Sequence, residues 1–278
     1  MLRDQVVNIA GSLIQHGPFN DRVYLMKAAP DNLEELPSIV QGIAQENNYS
    51  KIFSRVPASA KEHFLSMGHV EEAFIPGFFN GSEDAVFMAR YLSPERLEEQ
   101  DPNEIATVLE TSLSKFNELK GMELSNDEEF VVCCEEDVLE MAELYRQVFP
   151  SYPFPIHDAS YLLRTMSEDF VYFGIREKGV LVAVSSCEMD EVNSNVEMTD
   201  FATMPGSRGK GYSYYLLDEM EKNMRDKGIK TAYTIARARS YGINTVFSRH
   251  SYIYAGTLIN NTNISGGIES MNVWYKKI

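Results

Sequence analysis

The chain reads as an α/β fold, and three observations carry that reading. Strand and helix patterns alternate through its C-terminal half, and a shorter run of the same alternation fills its N-terminal half. A glycine-bearing turn joins one strand directly to an amphipathic helix. Taken in order, residues 23–27 read as a strand, 33–46 as a helix, 51–56 as a strand, 58–67 as a helix, and 72–79 and 85–91 as two more strands. Residues 93–102 form a polar turn bracketed by Pro94 and Pro102. Residues 103–119 read as a helix with Asn103 as its cap and Gly121 as its stop. Next come a strand at 130–134, a helix at 138–148, a rigid aromatic loop at 151–155 and a short helix at 161–166. Residues 171–176 and 180–189 pair as a hairpin about Lys178-Gly179. Residues 195–203 are a strand that ends in the glycine turn, and a helix follows. A strand at 231–236, a helix at 244–249 and strands at 252–259 and 270–276 close the chain. The organisation is therefore two units, residues 1–120 and 121–278.

Composition narrows the partners. The 278 residues suffice for two domains, and 44% apolar with 24% charged residues is an ordinary water-soluble balance. A net charge of -16 argues against nucleic acid, whose phosphates it would repel. No apolar run reaches membrane-spanning length, and Met1-Leu2-Arg3-Asp4-Gln5 lacks a signal-peptide design, so a cytoplasmic location without membrane is expected. Cys133, Cys134 and Cys187 sit in strand-like runs without disulfide or metal spacing. They read as reduced core thiols, and no metal is expected.

The segment from Asp200 through Ser213 carries the chemistry. Gly209 and Gly211 let backbone approach a ligand, the first N–H groups of the following helix point at it, and Arg208 and Lys210 add positive charge. Such a turn suits a pyrophosphate. It is not a P-loop, because Gly211 follows Lys210 where Ser or Thr belongs. It is not a dinucleotide fingerprint either, because Tyr214 stands where the third glycine belongs.

Arg208-x-x-Gly211-x-Ser213 resembles the Arg/Gln-x-x-Gly-x-Gly/Ala signature of the GCN5-related N-acetyltransferases, with Ser213 a small departure. The element order from residue 121 onward is similar to that family's. The resemblance implies a mixed, mostly antiparallel sheet flanked by helices. It also implies that acetyl-CoA is held by Phe201, Ala202, Thr203, Arg208, Gly209, Lys210, Gly211, Tyr212 and Ser213, with Asn244 steadying its arm. The N-terminal half reads as a degenerate half-domain of the same kind, since residues 51–55 and 73–80 echo 232–237 and 254–260. It lacks the phosphate turn and is not expected to hold acetyl-CoA; an unrelated α/β cap is the alternative.

Acyl transfer to an amine of pKa near 10.4 requires a base, because freeing the amine at neutral pH costs about 4–5 kcal/mol. Glu197 and Asp200 on the strand before the turn are the candidates. Their odd spacing sends them to opposite faces of a regular strand, so only one can face the reaction centre. The resemblance favours Glu197, and it implies that backbone N–H groups near residues 201–203 receive the thioester oxygen. Where many relatives place a tyrosine acid, this chain has Phe247. Tyr252 is the substitute chosen, with Tyr241 and Tyr254 as others, and His250 reads as a surface helix residue.

The ending from Tyr254 to Lys276, and Ile75-Pro76-Gly77-Phe78-Phe79-Asn80-Gly81 upstream, are similar to the β-lysine N6-acetyltransferases. That family works beside a lysine 2,3-aminomutase to make the osmolyte N6-acetyl-β-lysine. The resemblance implies (3S)-3,6-diaminohexanoate as substrate, a small amine with one carboxylate. Asn260, Asn261, Glu269 and Asn272 are candidates for its ammonium groups, and Arg237 or Arg239 for its carboxylate. Acetylation of another amine such as lysine or a polyamine stays open, as does a non-catalytic acyl-CoA-binding module.

Overall fold

The computed structural model describes residues 4–118 and 121–278. The N-terminal half contains β1 (Gln5–Ile9), β2 (Ser12–Gly17), β3 (Arg22–Lys27), α1 (Leu36–Asn47), β4 (Lys51–Pro57), α2 (Lys61–Ser66), β5 (Val70–Phe79) and β6 (Glu83–Tyr91). The linker carries α3 (Pro94–Leu97) and α4 (Pro102–Leu113). The C-terminal half contains β7 (Glu128–Val132), α5 (Val138–Val148), α6 (Ala159–Met166), β8 (Phe170–Glu177), β9 (Val180–Asp190), β10 (Asn195–Thr203), α7 (Tyr212–Asp226), β11 (Thr231–Arg237), α8 (Tyr241–Arg249), β12 (Ile253–Ile264) and β13 (Gly267–Lys277).

Among the described residues all the strands join one sheet of 13, in the order β1-β2-β3-β4-β6-β5-β12-β13-β11-β10-β9-β8-β7. Of these described strand pairs, β3/β4 and β10/β11 run parallel and the rest antiparallel. The connectivity β1-β2-β3-β4-β6-β5 thus recurs as β8-β9-β10-β11-β13-β12, with its parallel pair in the same place. The two half-sheets meet at β5 and β12, where Gly256 pairs with Ala73. A Cβ on Gly256 would lie 2.0 Å from the Glu72 carbonyl oxygen, so only glycine permits this approach. Polar anchors flank the join. The fully buried Lys51 pairs with Glu72 at 3.0 Å and donates to the Ile259 carbonyl at 2.6 Å. Arg96 donates from Nε to the Asn260 carbonyl at 2.7 Å.

Apolar side chains pack on both faces of the sheet. Leu216, Leu217, Met220 and Met224 of α7 cover one face of the C-terminal half, Met141, Leu144 and Tyr145 of α5 the other, and Leu36, Val40 and Ala44 of α1 serve the N-terminal half. The linker helix α4 leans on α8, where Ser248 donates to the Ser112 carbonyl at 2.6 Å.

Several local expectations need correction. β1 and β2 precede the first expected strand. Their alternation is hidden because β1 is a largely exposed edge and β2 buries Ser12, Gln15 and His16. The linker helix starts at Pro102, with Asp101 rather than Asn103 at the cap position, and no side chain caps it. It ends at Leu113, and its expected end at Leu119 lies outside the described residues, as do Met1, Leu2 and Arg3. Cys134 is exposed, whereas Cys133 and Cys187 are buried.

Candidate active site

β10 pairs with β11 only from Asn195 to Glu197, while its pairing with β9 continues to Thr203. Past Glu197 the two central strands separate, and a cavity of about 660 Å³ occupies the gap. That volume suits a small substrate with part of a cofactor. One end is the turn. Gly209 and Gly211 have φ of +82° and +88°, which side-chain-bearing residues rarely adopt. Gly211 is the N-cap of the 15-residue α7, and no side chain caps that helix, so its first N–H groups face a ligand. Arg208 is exposed, bonds only the Thr203 carbonyl at 3.3 Å, and forms no ion pair among the described residues. An anion receptor of this kind fits the pyrophosphate of acetyl-CoA, and Phe201, Thr203, Gly209, Gly211, Tyr212 and Ser213 line the same cavity. Lys210 differs from expectation. Its ammonium is held 2.8 Å from Glu177, so its charge is offset away from the cavity. Ala202 is buried in the core on the α5 side.

The middle of the cavity is acidic. Glu188, Glu197 and Asp200 all line it. Glu197 stands opposite Glu188 on β9 and opposite Tyr233 on β11, so two like charges face each other across the ladder. Tyr233 donates to Glu197 Oε2 at 2.9 Å, and Arg55 donates to the Tyr233 hydroxyl. Among the described residues no other group donates to Glu197, and its second oxygen remains available to a substrate. Burial, reinforced by Glu188, pushes the Glu197 carboxyl well above the usual carboxylate range.

Both candidate bases reach the cavity, contrary to the alternation argument. A bulge interrupts β10 between Thr199 and Ala202, and Asp200 adopts a positive φ of 56°. The extra residue resets the side-chain alternation. Both oxygens of Asp200 are occupied, one by the Tyr152 hydroxyl and the other by Ser186 Oγ at 2.6 Å. Asp200 is thereby a carboxyl held in place on both edges, and Glu197 is the acid with a free edge.

Other expected residues serve the fold. Asn244 is fully buried. Its Nδ2 donates to the carbonyls of Arg237 and Ser240 at 2.9 and 2.8 Å, and its Oδ1 accepts from Asn272 and Trp274 at 2.9 Å each. Every hydrogen-bonding position of that amide is used, so it has none left for a cofactor. Asn272 is held in the same way, by Asn244 and Thr257. Asn260 ties the linker through the carbonyls of Arg96 and Glu98. Glu269 forms a two-pronged pair with Arg237 at 2.6 and 2.9 Å, and Arg239 pairs with Asp101. Each had been read from position in sequence, which does not reveal a partner contributed by another strand.

Tyr252 is buried against Phe247 beneath α7 and does not line the cavity. Tyr254 bonds Thr257, and Tyr241 is exposed. His250 is buried, with Nδ1 against the Val246 carbonyl, rather than on the surface. Of the substrate candidates, Asn261 and Arg237 reach the cavity; Arg237 is held there by Glu269, whereas Asn261 Oδ1 is buried without a partner. The residues that sequence reasoning missed are Glu188, Tyr152 and the N-terminal Arg22, Tyr24 and Arg55, all of which line the cavity. The aromatic loop around Tyr152 was the one local signal for any of them. Among the described residues there is no cluster of acidic, His or Cys side chains arranged for a metal, and no helix is long and apolar enough to cross a membrane.

Residues 137–242 match the acetyltransferase (GNAT) family. Together with the turn and the separated strands, that match defines the class: an N-acetyltransferase that uses acetyl-CoA. A β-lysine N(6)-acetyltransferase of Methanococcus maripaludis is 39% identical over 280 residues, which cover 98% of each chain. A β-lysine N(6)-acetyltransferase of Methanosarcina mazei is 30% identical over 88% of this chain and 97% of its own. The N-acetyltransferase YodP of Bacillus subtilis is 30% identical over 96% of each chain. This chain belongs to the β-lysine N6-acetyltransferase family.

Proposed function

We propose that the protein transfers the acetyl group of acetyl-CoA to the N6 amine of β-lysine in the cytoplasm, giving N6-acetyl-β-lysine as a compatible solute. The observation that carries this reading is the full-length similarity to β-lysine N(6)-acetyltransferases, and the charge pattern of the cavity supports it. β-Lysine brings two ammonium groups, and Glu188, Glu197 and Asp200 offer three carboxyl groups beside the glycine turn. Acetylation removes one positive charge and leaves a zwitterion of zero net charge, which suits accumulation to high concentration. A lysine 2,3-aminomutase is the fitting source of the substrate.

Glu197 is the base in this scheme. A carboxyl group with a raised pKa is a better match to an amine proton than an ordinary one. Arg55 and Tyr233 position it. The backbone edge of β10 that loses its β11 partner beyond Glu197 supplies N–H donors for the developing oxyanion. When bound, acetyl-CoA supplies the activated acyl group, and a thiol is a fair leaving group without a side-chain acid. The N-terminal half reads as a second, degenerate copy of the same fold. It lends cavity wall rather than a cofactor site, as its repeated strand order suggests.

The test is thiol release from acetyl-CoA with β-lysine, lysine and spermidine in parallel. Turnover with β-lysine is expected to exceed that with the other two, and Glu197→Gln is expected to lower kcat by on the order of 100-fold or more. Equal rates on spermidine, or an undiminished variant, would remove the substrate or the base respectively.

A further inference from the structure

Resting on that reading of the reaction, the geometry points to Arg22, from the N-terminal half, as the residue that binds the substrate carboxylate and makes the enzyme select an amino acid over a plain diamine. Arg22 lies on β3, is 3% exposed and lines the cavity. It forms no salt bridge to any described carboxylate. Asp4, which lies close enough to act on it, is instead bound to Asn20 and to the backbone of Phe19. Its Nη atoms donate to the Asn261 carbonyl, to Thr262 Oγ1 at 3.1 Å and, weakly, to Gln15 Oε1 at 3.4 Å. Its Nε is buried with no partner at all. Nε and one Nη share an edge of the planar guanidinium, the edge that grips a carboxylate with two parallel bonds.

A buried guanidinium without a counter-ion is costly unless an anion arrives. Consistent with that, burial lowers its pKa to about 10. Arg55, which also lines the cavity, is committed elsewhere: it donates to Tyr233 and to the Met26 carbonyl at 2.8 Å, and it acts on Glu197 and Glu188. Arg237 and Arg239 already have acidic partners. With Arg208 at the glycine turn assigned to the cofactor's pyrophosphate, Arg22 is the one cavity cation left over for the acceptor among the described residues.

Its position also matches the substrate. Arg22, Tyr24 and Met26 alternate along β3 and all line the cavity, with the Arg22 guanidinium 5.1 Å from the Tyr24 ring. Tyr24 in turn is close enough to feel Glu197 and Glu188. Along that wall the cavity passes from a cation, over an aromatic, to a group of acids. β-Lysine carries the complement: a carboxylate at one end and ammonium groups along the chain.

The experiment compares β-lysine with 1,4-diaminopentane, which keeps both amines at the same separation and lacks the carboxylate. Both are assayed by thiol release with the full-length protein. In Arg22→Gln, kcat/KM for β-lysine is expected to fall on the order of 100-fold, mainly through KM, while the low value for 1,4-diaminopentane stays unchanged. Arg22→Lys, which keeps the charge but not the fork, should recover part of the loss. A merely structural role would lower both substrates together, and that result, or no change in either, overturns the assignment.

If Arg22→Gln fails to show an acetyl-CoA-dependent rise in Tm, Asn261→Asp provides the second test. It is nearly isosteric and places a negative charge beside the proposed carboxylate. It should weaken β-lysine selectively and leave 1,4-diaminopentane at or above its wild-type rate; indifference to the change overturns the assignment. β-Lysine turnover that does not depend on Arg22 refutes this inference and leaves the reaction standing. Wild-type protein that handles 1,4-diaminopentane as well as β-lysine refutes both.

Discussion

Glu188, Glu197 and Asp200 are buried together, and burial raises the pKa of each. For Glu197 the sign follows from linkage. The folded protein holds that proton more tightly than the unfolded chain, so its contribution to stability is present below the ordinary carboxylate pKa. It is lost as pH rises through the elevated folded value. Glu197→Gln removes that penalty. Its Tm should match the wild type near pH 5 and exceed it by on the order of 5 °C at pH 9, in thermal unfolding without substrate. The same Tm difference at every pH would sink the idea that Glu197 carries the strain. At this scale the glycine turn at the start of α7 and the position of Glu197 on the strand before it were legible in the sequence, because both are local patterns on one strand, turn and helix. Asp200 was misjudged because a bulge is invisible to alternation. Asn244 and Asn272 were misassigned because a buried amide and a ligand-binding amide look alike until their partners are known.

Gly256 sits where β12 meets β5, with φ of +150° and no room for a Cβ. Gly256→Val is expected to cost at least about 2–4 kcal/mol, read as a fall in Tm or in the denaturant midpoint, because the neighbouring backbone has to separate. Gly267→Ala is the control: nothing lies within 4 Å of its added methyl, so its effect should be small. A harmless Gly256→Val would mean that the two half-sheets are not held together at this point. The elements of the C-terminal half were readable because their apolar runs are strong, as in β9, where Leu181 to Cys187 are buried consecutively. β1 and β2 were not, because β2 buries the polar Ser12, Gln15 and His16 beside Ile14 and its neighbour is an edge. The last hairpin is also longer than patterning suggested: the polar run Asn260-Asn261-Thr262-Asn263 looks like a loop yet belongs to β12.

At the scale of the molecule, the described residues form one sheet of 13 strands with its flanking helices, and the cavity draws walls from both halves. Residues 121–278 alone would keep the phosphate turn but lose Arg22, Tyr24 and Arg55, and would expose the edge of β12 that β5 covers. That fragment is expected to scatter light as aggregate and to lack β-lysine turnover; a soluble fragment with full activity would refute a shared site. That the second half contributes residues to the cavity could not be read from sequence, since Arg22 lies far along the chain from Glu197 and no local pattern links them. The repeated strand order has a further consequence for how such enzymes diversify. The acyl-transfer apparatus and the proposed reader of the acceptor occupy separate stretches of the chain, whose half-sheets pair in register only where Gly256 meets Ala73. Changes confined to residues 22–26 can therefore redirect the enzyme to a different acceptor while its donor chemistry stays untouched, so inheritance can revise what is modified independently of how.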